Sequence, residues 1–322
     1  MSKASEYIPA LKYGHKIMPE DIAGMIGLPS VGNIFYVDPG VSSSGGGKTA
    51  DDAYKTVTEA YNAMSADNDD VIILAPTSST GRTSETATLT WAKRRTHIIG
   101  NGPARNGWNR AGISFSSAVT TPSMTISANN CSFTNIMIYN SNDVNVLVNH
   151  TGDYNTFNNV HFAGIANATT GDDTAGRCLV LTGSDDNQFN GCTFGIDTVA
   201  SSAANAQIEL ASGSARNRFN NCLITHWSDN AGSFFVIADS TNDIDRYVIF
   251  DHCFFHNPTH AGATNNTVGM NLGADIGGAV YLWDSWITGA TDWADDFTLL
   301  YGLGGMSQLA TQNIAGIEKV LA

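Results

Sequence analysis

Apolar and polar positions along this chain fall into a six-residue phrase that keeps returning. It reads Phe133-Thr-Asn-Ile-Met-Ile138, then Phe157-Asn-Asn-Val-His-Phe162, Phe189-Asn-Gly-Cys-Thr-Phe194 and Phe219-Asn-Asn-Cys-Leu-Ile224. Phe250-Asp-His-Cys-Phe-Phe255 follows, and Leu282-Trp-Asp-Ser-Trp-Ile287 is a looser copy. The starts lie 24, 32, 30, 31 and 32 residues apart. Positions one, four and six are mostly apolar, and positions two and three are small or polar. An internal period of this size means a stack of similar units, each contacting only its neighbours.

Each phrase reads as one strand and is preceded by another. The preceding strands are expected at 124–126, 144–148, 178–181, 207–210 and 234–237. A polar turn joins the two, and a looser stretch of variable length leads to the next pair. Strand, turn, strand, loop is one coil of an all-β solenoid. Equivalent residues of successive coils then stack ~4.8 Å apart, the ordinary strand spacing. Phe157, Phe189, Phe219 and Phe250 would form an aromatic column, and Asn155, Asn187 and Asn217 a recurring turn residue that bonds its neighbour above.

Before the repeats, strands are expected at 34–37, 71–74 and 96–99. A helix is expected over 49–64, capped by Thr49, with Ala53, Val57, Ala60, Tyr61 and Met64 on one face. A shorter helix opens at Pro19 and places Ile22, Met25 and Ile26 together. Such a short apolar face must dock on its own domain or on another protein. The tail predicts a strand at 299–303 and a helix over 307–321. The chain thus divides into an arm at 1–33, a solenoid at 34–290 capped by the 49–64 helix, and a C-terminal cap or oligomer contact at 291–322.

Composition narrows the partners. Charged residues make up 14% of the chain, and the formal net charge is −14. An acidic surface repels phosphates and anionic lipid, which argues against nucleic acid and membrane partners. No run of about 18 apolar residues suggests a span. The N-terminus lacks the apolar run of a signal peptide, so synthesis in a cytoplasm is expected. The five cysteines follow no disulfide or zinc spacing, and three occupy position four of successive phrases, as apolar filler would.

Candidate chemistry is sparse. Gly45-Gly-Gly-Lys-Thr49 lacks the first glycine and the leading strand of a phosphate loop. Asp172 and Asp173 form an acidic pair in a long inter-coil loop and are the fallback catalytic or metal site. Asp185-Asp186 sits where aspartate simply forms turns. The histidines, His252 and His256 included, lack metal spacing, and no metal or other cofactor is expected. Trp227, Trp283, Trp286 and Trp293 concentrate near the C-terminal end. Core filling is one account of them, and a protein interface or a sugar-binding wall the other, with the interface ahead of the sugar. Trp283 and Trp286 hold phrase positions two and five, which should point outward.

Phe35-Tyr-Val-Asp-Pro-Gly40, Ala53-Tyr-Lys-Thr-Val-Thr-Glu-Ala60 and Asp70-Val-Ile-Ile-Leu-Ala-Pro76 resemble the opening of right-handed parallel β-helix proteins of the pectate-lyase-like superfamily. The resemblance spans residues 34 to about 290. Of the polygalacturonase pattern only Gly171-Asp-Asp173 survives, which implies no inherited pectinase activity. The segment from Leu11 to Pro29 resembles the anchors that precede such β-helices in tailed-phage structural proteins. That likeness implies attachment through Tyr13, His15, Ile17, Met18, Ile22, Met25, Ile26 and Leu28.

Together these readings lead us to expect a phage virion protein, most simply a capsid decoration protein. Its partners would be the major capsid protein or another virion protein, and further copies of itself in a homotrimer. The alternative is a tailspike or receptor-binding β-helix that binds or cleaves host polysaccharide.

Overall fold

The computed structural model describes residues 19–28, 30–76, 82–102, 111–258, 263–304 and 307–309. The chain winds as a right-handed parallel β-helix with three faces. A ten-stranded sheet runs from Ile34–Val37 to Leu300–Leu303, a nine-stranded sheet from Arg82–Glu85 to Ser307–Leu309, and an eight-stranded sheet from Leu89–Trp91 to Ala290–Ala294. One coil visits each in turn, as Thr156–Asn158, His161–Ala163 and Arg177–Thr182 do. Neighbouring strands pair in parallel, for example Phe157 with Phe189 and Phe189 with Phe219.

The phrase is a corner, which corrects the expectation of one strand. Its first two residues belong to the ten-stranded sheet and its last two to the nine-stranded sheet, with positions three and four between them. Position three turns the chain. Asn135, Asn159, Gly191, Asn221, His252 and Asp284 all have positive φ, between 42° and 61°. Glycine enters this left-handed region freely and Asn or Asp most easily among the rest, which is why these types recur there. The corner also resolves an inconsistency. Side chains alternate along a strand, so positions one and four of a single strand would face opposite ways. The bend lets one, four and six all face inward.

The interior follows from that geometry. Phe133, Phe157, Phe189, Phe219 and Phe250 are 0% exposed. Their rings stack at centroid distances of 4.9, 4.7, 4.6 and 4.6 Å, and Phe162 and Phe194 form a parallel stack at 4.9 Å. At position four each cysteine does more than fill space. Cys192, Cys222 and Cys253 donate Sγ–H to the carbonyls of Phe157, Phe189 and Phe219 in the coil before (3.4, 3.3 and 3.3 Å), and Ser285 Oγ does the same to Phe250 (3.2 Å). Burial pushes Cys222 well above the ordinary thiol value and Cys178 up to about 12, so both keep their protons. All five cysteines are free and buried.

The asparagines before the phrase form an internal ladder. Cys131 N–H donates to Asn155 Oδ1 (2.7 Å), Asn155 N–H to Asn187 Oδ1 (2.8 Å), and Asn187 N–H to Asn217 Oδ1 (3.0 Å). The positive φ falls one residue earlier, on Tyr154, Asp186 and Arg216.

Helix α1 (Pro19–Met25) lies on the outer face of the ten-stranded sheet at its first strands. Ile22 is 1% exposed and packs with Tyr36, Val71, Ile73 and Ile99. Helix α2 (Val57–Ala63) closes the open end of the core with Val57, Ala60 and Tyr61. The helix expected over 49–64 is therefore shorter. Its cap is Thr56, in a reciprocal box with Glu59, and Thr49 precedes only a 3-10 turn at Ala50–Asp52. Tyr54 exchanges backbone hydrogen bonds with Tyr36 and Asp38, which holds the intervening residues extended. At the other end Ser307–Leu309 is a strand paired with Trp286–Thr288, where a helix was expected. Residues 310–321 of that expected helix lie outside the described residues.

Candidate functional site

The acidic pairs are tied into turns. Helix α3 (Ala168–Gly171) ends at Asp172, which serves as its C-cap and is exposed. Asp173 accepts from Asn145 Nδ2 and from the Ala175 N–H, both at 2.8 Å. Its carboxylate thus fixes a loop. Asp185 and Asp186 both pair with Arg216, whose hydrogen bond holds Asp186 below the usual carboxylate value. Among the described residues no group of three acidic, histidine or cysteine side chains is placed to hold a metal.

The Gly-rich loop is equally committed. Gly45 N–H donates to Ala53 O (2.9 Å) and Gly47 N–H to Asp52 O (2.6 Å), while Lys48 Nζ lies 4.2 Å above the Phe35 ring. No cradle of free N–H groups remains for a phosphate at those two positions.

His150 and His226 are buried structural groups. His150 Nδ1 is 2.6 Å from Ser184 Oγ, and the ring nitrogens of His226 lie 3.3 and 3.0 Å from the amides of Gln207 and Asn266. Burial lowers both to about 3, so they are neutral. His252 is exposed beside Asp251 and Asp284.

The tryptophans divide. Trp293 is 1% exposed and meets Phe255 edge-on at 5.6 Å, so it belongs to the core and not to a contact surface. Trp227 is half-buried in the short strand Trp227–Ser228. Trp283 and Trp286 are 45% and 41% exposed, pointing outward as positions two and five require.

The attachment residues divide too. Ile22 and Ile26 pack within this chain against the first strands, so Ile22 is consumed by the fold and offers no surface for attachment. Met25 ends the same helix, and Leu28 N–H donates to Ala23 O (2.8 Å) just beyond it. Tyr13, His15, Ile17 and Met18 lie outside the described residues.

Tracing the outer face of the ten-stranded sheet reveals what pattern reading missed. One outward row runs Tyr36, Ile73, Ile99, Thr134, Asn158, Asn190, Asn220, Asp251, Trp283, Leu303. Its apolar start lies under helix α1. Its middle is an amide ladder, with Asn190 Nδ2 donating to Asn158 Oδ1 (2.9 Å) and Asn220 Nδ2 to Asn190 Oδ1 (2.8 Å). Its end is apolar again and exposed. The next outward row ends Ile249, Tyr281, Tyr301, with the two tyrosine rings stacked at 5.3 Å and Tyr247 edge-on to Tyr281 at 6.2 Å.

Around the corner, Phe254 and Trp286 are paired neighbours on the nine-stranded sheet. Leu223, beside Phe254, opens a cleft of about 360 Å³ lined by His161, Thr193, Asp197, Thr225 and His256. His161 Nε2 bonds Gly195 O (2.9 Å) and His256 Nδ1 bonds Thr288 Oγ1 (2.8 Å). Burial holds His256 below the ordinary histidine value, with Asp197 acting against it. Polar acceptors beside exposed rings suit hydrogen bonding to hydroxyl groups together with stacking.

No protein-family model matches the chain, and comparison with curated proteins found no match. Solved structures do match. The chain overlays a pectate lyase, Pel9A, at TM-score 0.55 and 17% identity, over 80% of this chain and 63% of the lyase's length. It overlays a pectin methylesterase solved with a hexasaccharide at TM-score 0.56 and 15% identity, over 91% of this chain and 93% of that one. At these identities the likeness is one of fold, and the fold shared is the right-handed parallel β-helix.

Proposed function

We propose that this chain is a polysaccharide-binding β-helix of a phage virion, held by its N-terminal end and binding with its last coils without cleaving. The observation that carries the reading is the exposed aromatic surface of Tyr247, Tyr301, Trp283 and Trp286, with half-buried Tyr281 stacked on Tyr301. Its tyrosines and Trp283 stand on the last three strands of the ten-stranded sheet, with Trp286 around the corner, and α1 covers the first three, about 34 Å away for seven strand spacings of ~4.8 Å. Residues ahead of α1 therefore join at one end of the rod and the rings stand at the other, the arrangement an adhesin needs. The hexasaccharide bound by the methylesterase supports a saccharide on this scaffold. The engagement of the Asp173 carboxylate in its own loop speaks against hydrolysis there.

The test is affinity electrophoresis of the purified chain through gels containing polysaccharide, with reducing ends measured in parallel. Retention lost in Trp283→Ala and Trp286→Ala, with no new reducing ends, is the expected result. Retention unchanged by both substitutions, or product release, overturns the reading. Deleting residues 1–18 leaves α1 in place and should abolish incorporation into particles while retention persists. A second reading, shell decoration with these rows buried against a neighbouring subunit, is favoured by exposed Phe297 and Leu303, which a sugar does not require. Light scattering that shows a stable trimer, reduced to monomer by Leu303→Asp, would favour it.

A further inference from the structure

The aromatic surface sits in a field of one sign. Residues 239–304 hold nine aspartates and a single arginine, with no lysine or glutamate. The cations near the rings each stand beside a carboxylate. Arg218 pairs with Asp251, Arg246 Nε lies 3.6 Å from Asp245, and His252 lies 2.6 Å from Asp251 and 3.8 Å from Asp284. Asp251 is the strand partner of Trp283, and Asp284 follows it at the corner, so carboxylates stand directly beside the rings.

We propose that the glycan taken by this face carries no carboxylate or phosphate groups. This rests on the polysaccharide-binding reading and names its ligand class. A polyuronate laid along these strands brings a like charge toward Asp245, Asp251 and Asp284, and the one arginine of residues 239–304, Arg246, is outnumbered by nine aspartates. An uncharged glycan meets the same groups differently. Its hydroxyls donate to aspartate oxygens, which in the ionised form only accept, and its ring faces cover Trp283 and the Tyr281–Tyr301 stack. The fold therefore carries over from acid-polymer enzymes while the surface chemistry does not.

The experiment immobilises dextran, galactomannan and chitin oligomers as uncharged probes, and polygalacturonate and alginate as acidic ones. The intact chain is passed over each at low and high salt. Retention is expected on at least one uncharged polymer, at least tenfold weaker on both acidic ones, with the gap narrowing as salt screens the repulsion. Equal or stronger retention on an acidic polymer overturns the ligand class and leaves polysaccharide binding intact. Retention on neither series overturns the binding reading itself. The double variant Asp245→Asn, Asp284→Asn should gain retention on polygalacturonate with unchanged melting, since asparagine already occupies the corner equivalent to Asp284 at Asn221 and the Asp245 side chain is exposed. If that variant still rejects polygalacturonate, charge is not the cause and the proposal fails.

Discussion

Phe189→Ala is the sharpest probe of the rod. Phe189 is 0% exposed and lies in the middle of the column, stacked on Phe157 at 4.7 Å and on Phe219 at 4.6 Å, with edge contacts to Phe162 and Phe194 at 6.2 and 5.8 Å. Truncating a buried Phe costs about 3–5 kcal/mol, and the value depends on how far the surroundings collapse. Here collapse is blocked, because the backbones above and below are held at the strand spacing by parallel hydrogen bonds. The loss should therefore fall near the top of that range, about 4–5 kcal/mol. Phe189→Leu refills most of the volume and should cost under about 2 kcal/mol, chiefly the lost stacking. Equilibrium urea unfolding, followed by tryptophan fluorescence, measures both. A cost for the alanine variant below about 2 kcal/mol would show that the coils close the gap. Equal costs for the two variants would show that ring stacking, not filled space, holds the column.

Asn187→Ala removes the oxygen that Asn155 N–H uses and should cost about 1–3 kcal/mol, with faster hydrogen exchange at that amide; protection equal to wild type would refute the ladder's role. His150 and His226 are held near 3 by burial against an ordinary 6.5, so the unfolded chain takes up these protons first. Stability is then full above about 6.5 and is lost towards about 3, at roughly 1.4 kcal/mol per histidine per pH unit, and a urea midpoint that is flat between pH 7.5 and 5 would contradict this. Ile22→Asp places a charge against Tyr36, Val71 and Ile73 and should lower stability by about 2–3 kcal/mol while Trp283-dependent retention persists; a neutral result would show that α1 is not docked.

The solenoid was legible because each coil repeats its chemistry at one place. Phe at position one, Cys or Val at four and Asn two residues before the phrase each marked a column that the structure contains. The corner was hidden because six residues of mixed polarity pass for one strand. The clue was that inward positions one and four break the twofold alternation of a strand, and the left-handed Asn at three explains it. The helix at 49–64 was overdrawn because its apolar spacing fits a helix, while the bonds of Tyr54 to Tyr36 and Asp38 win over that local preference. At the candidate site, phrase positions two and five marked Trp283 and Trp286 as outward. Trp293 lies beyond the phrase and had no such marker, so its place in the core had to be seen. Tyr247, Ile249 and the cleft around His256 arise only when coils are set side by side, a juxtaposition no single stretch encodes.

The asparagine ladder has a direction. At every step the N–H belongs to the earlier coil and the oxygen to the later one, from Cys131 to Asn155, Asn155 to Asn187 and Asn187 to Asn217. A chain emerging from the ribosome thus carries one amide forward, open until its successor coil arrives. Completion of the polar interior is tied to the order of synthesis, and a nascent chain arrested between Asn155 and Asn187 would expose that amide together with an unpaired sheet edge.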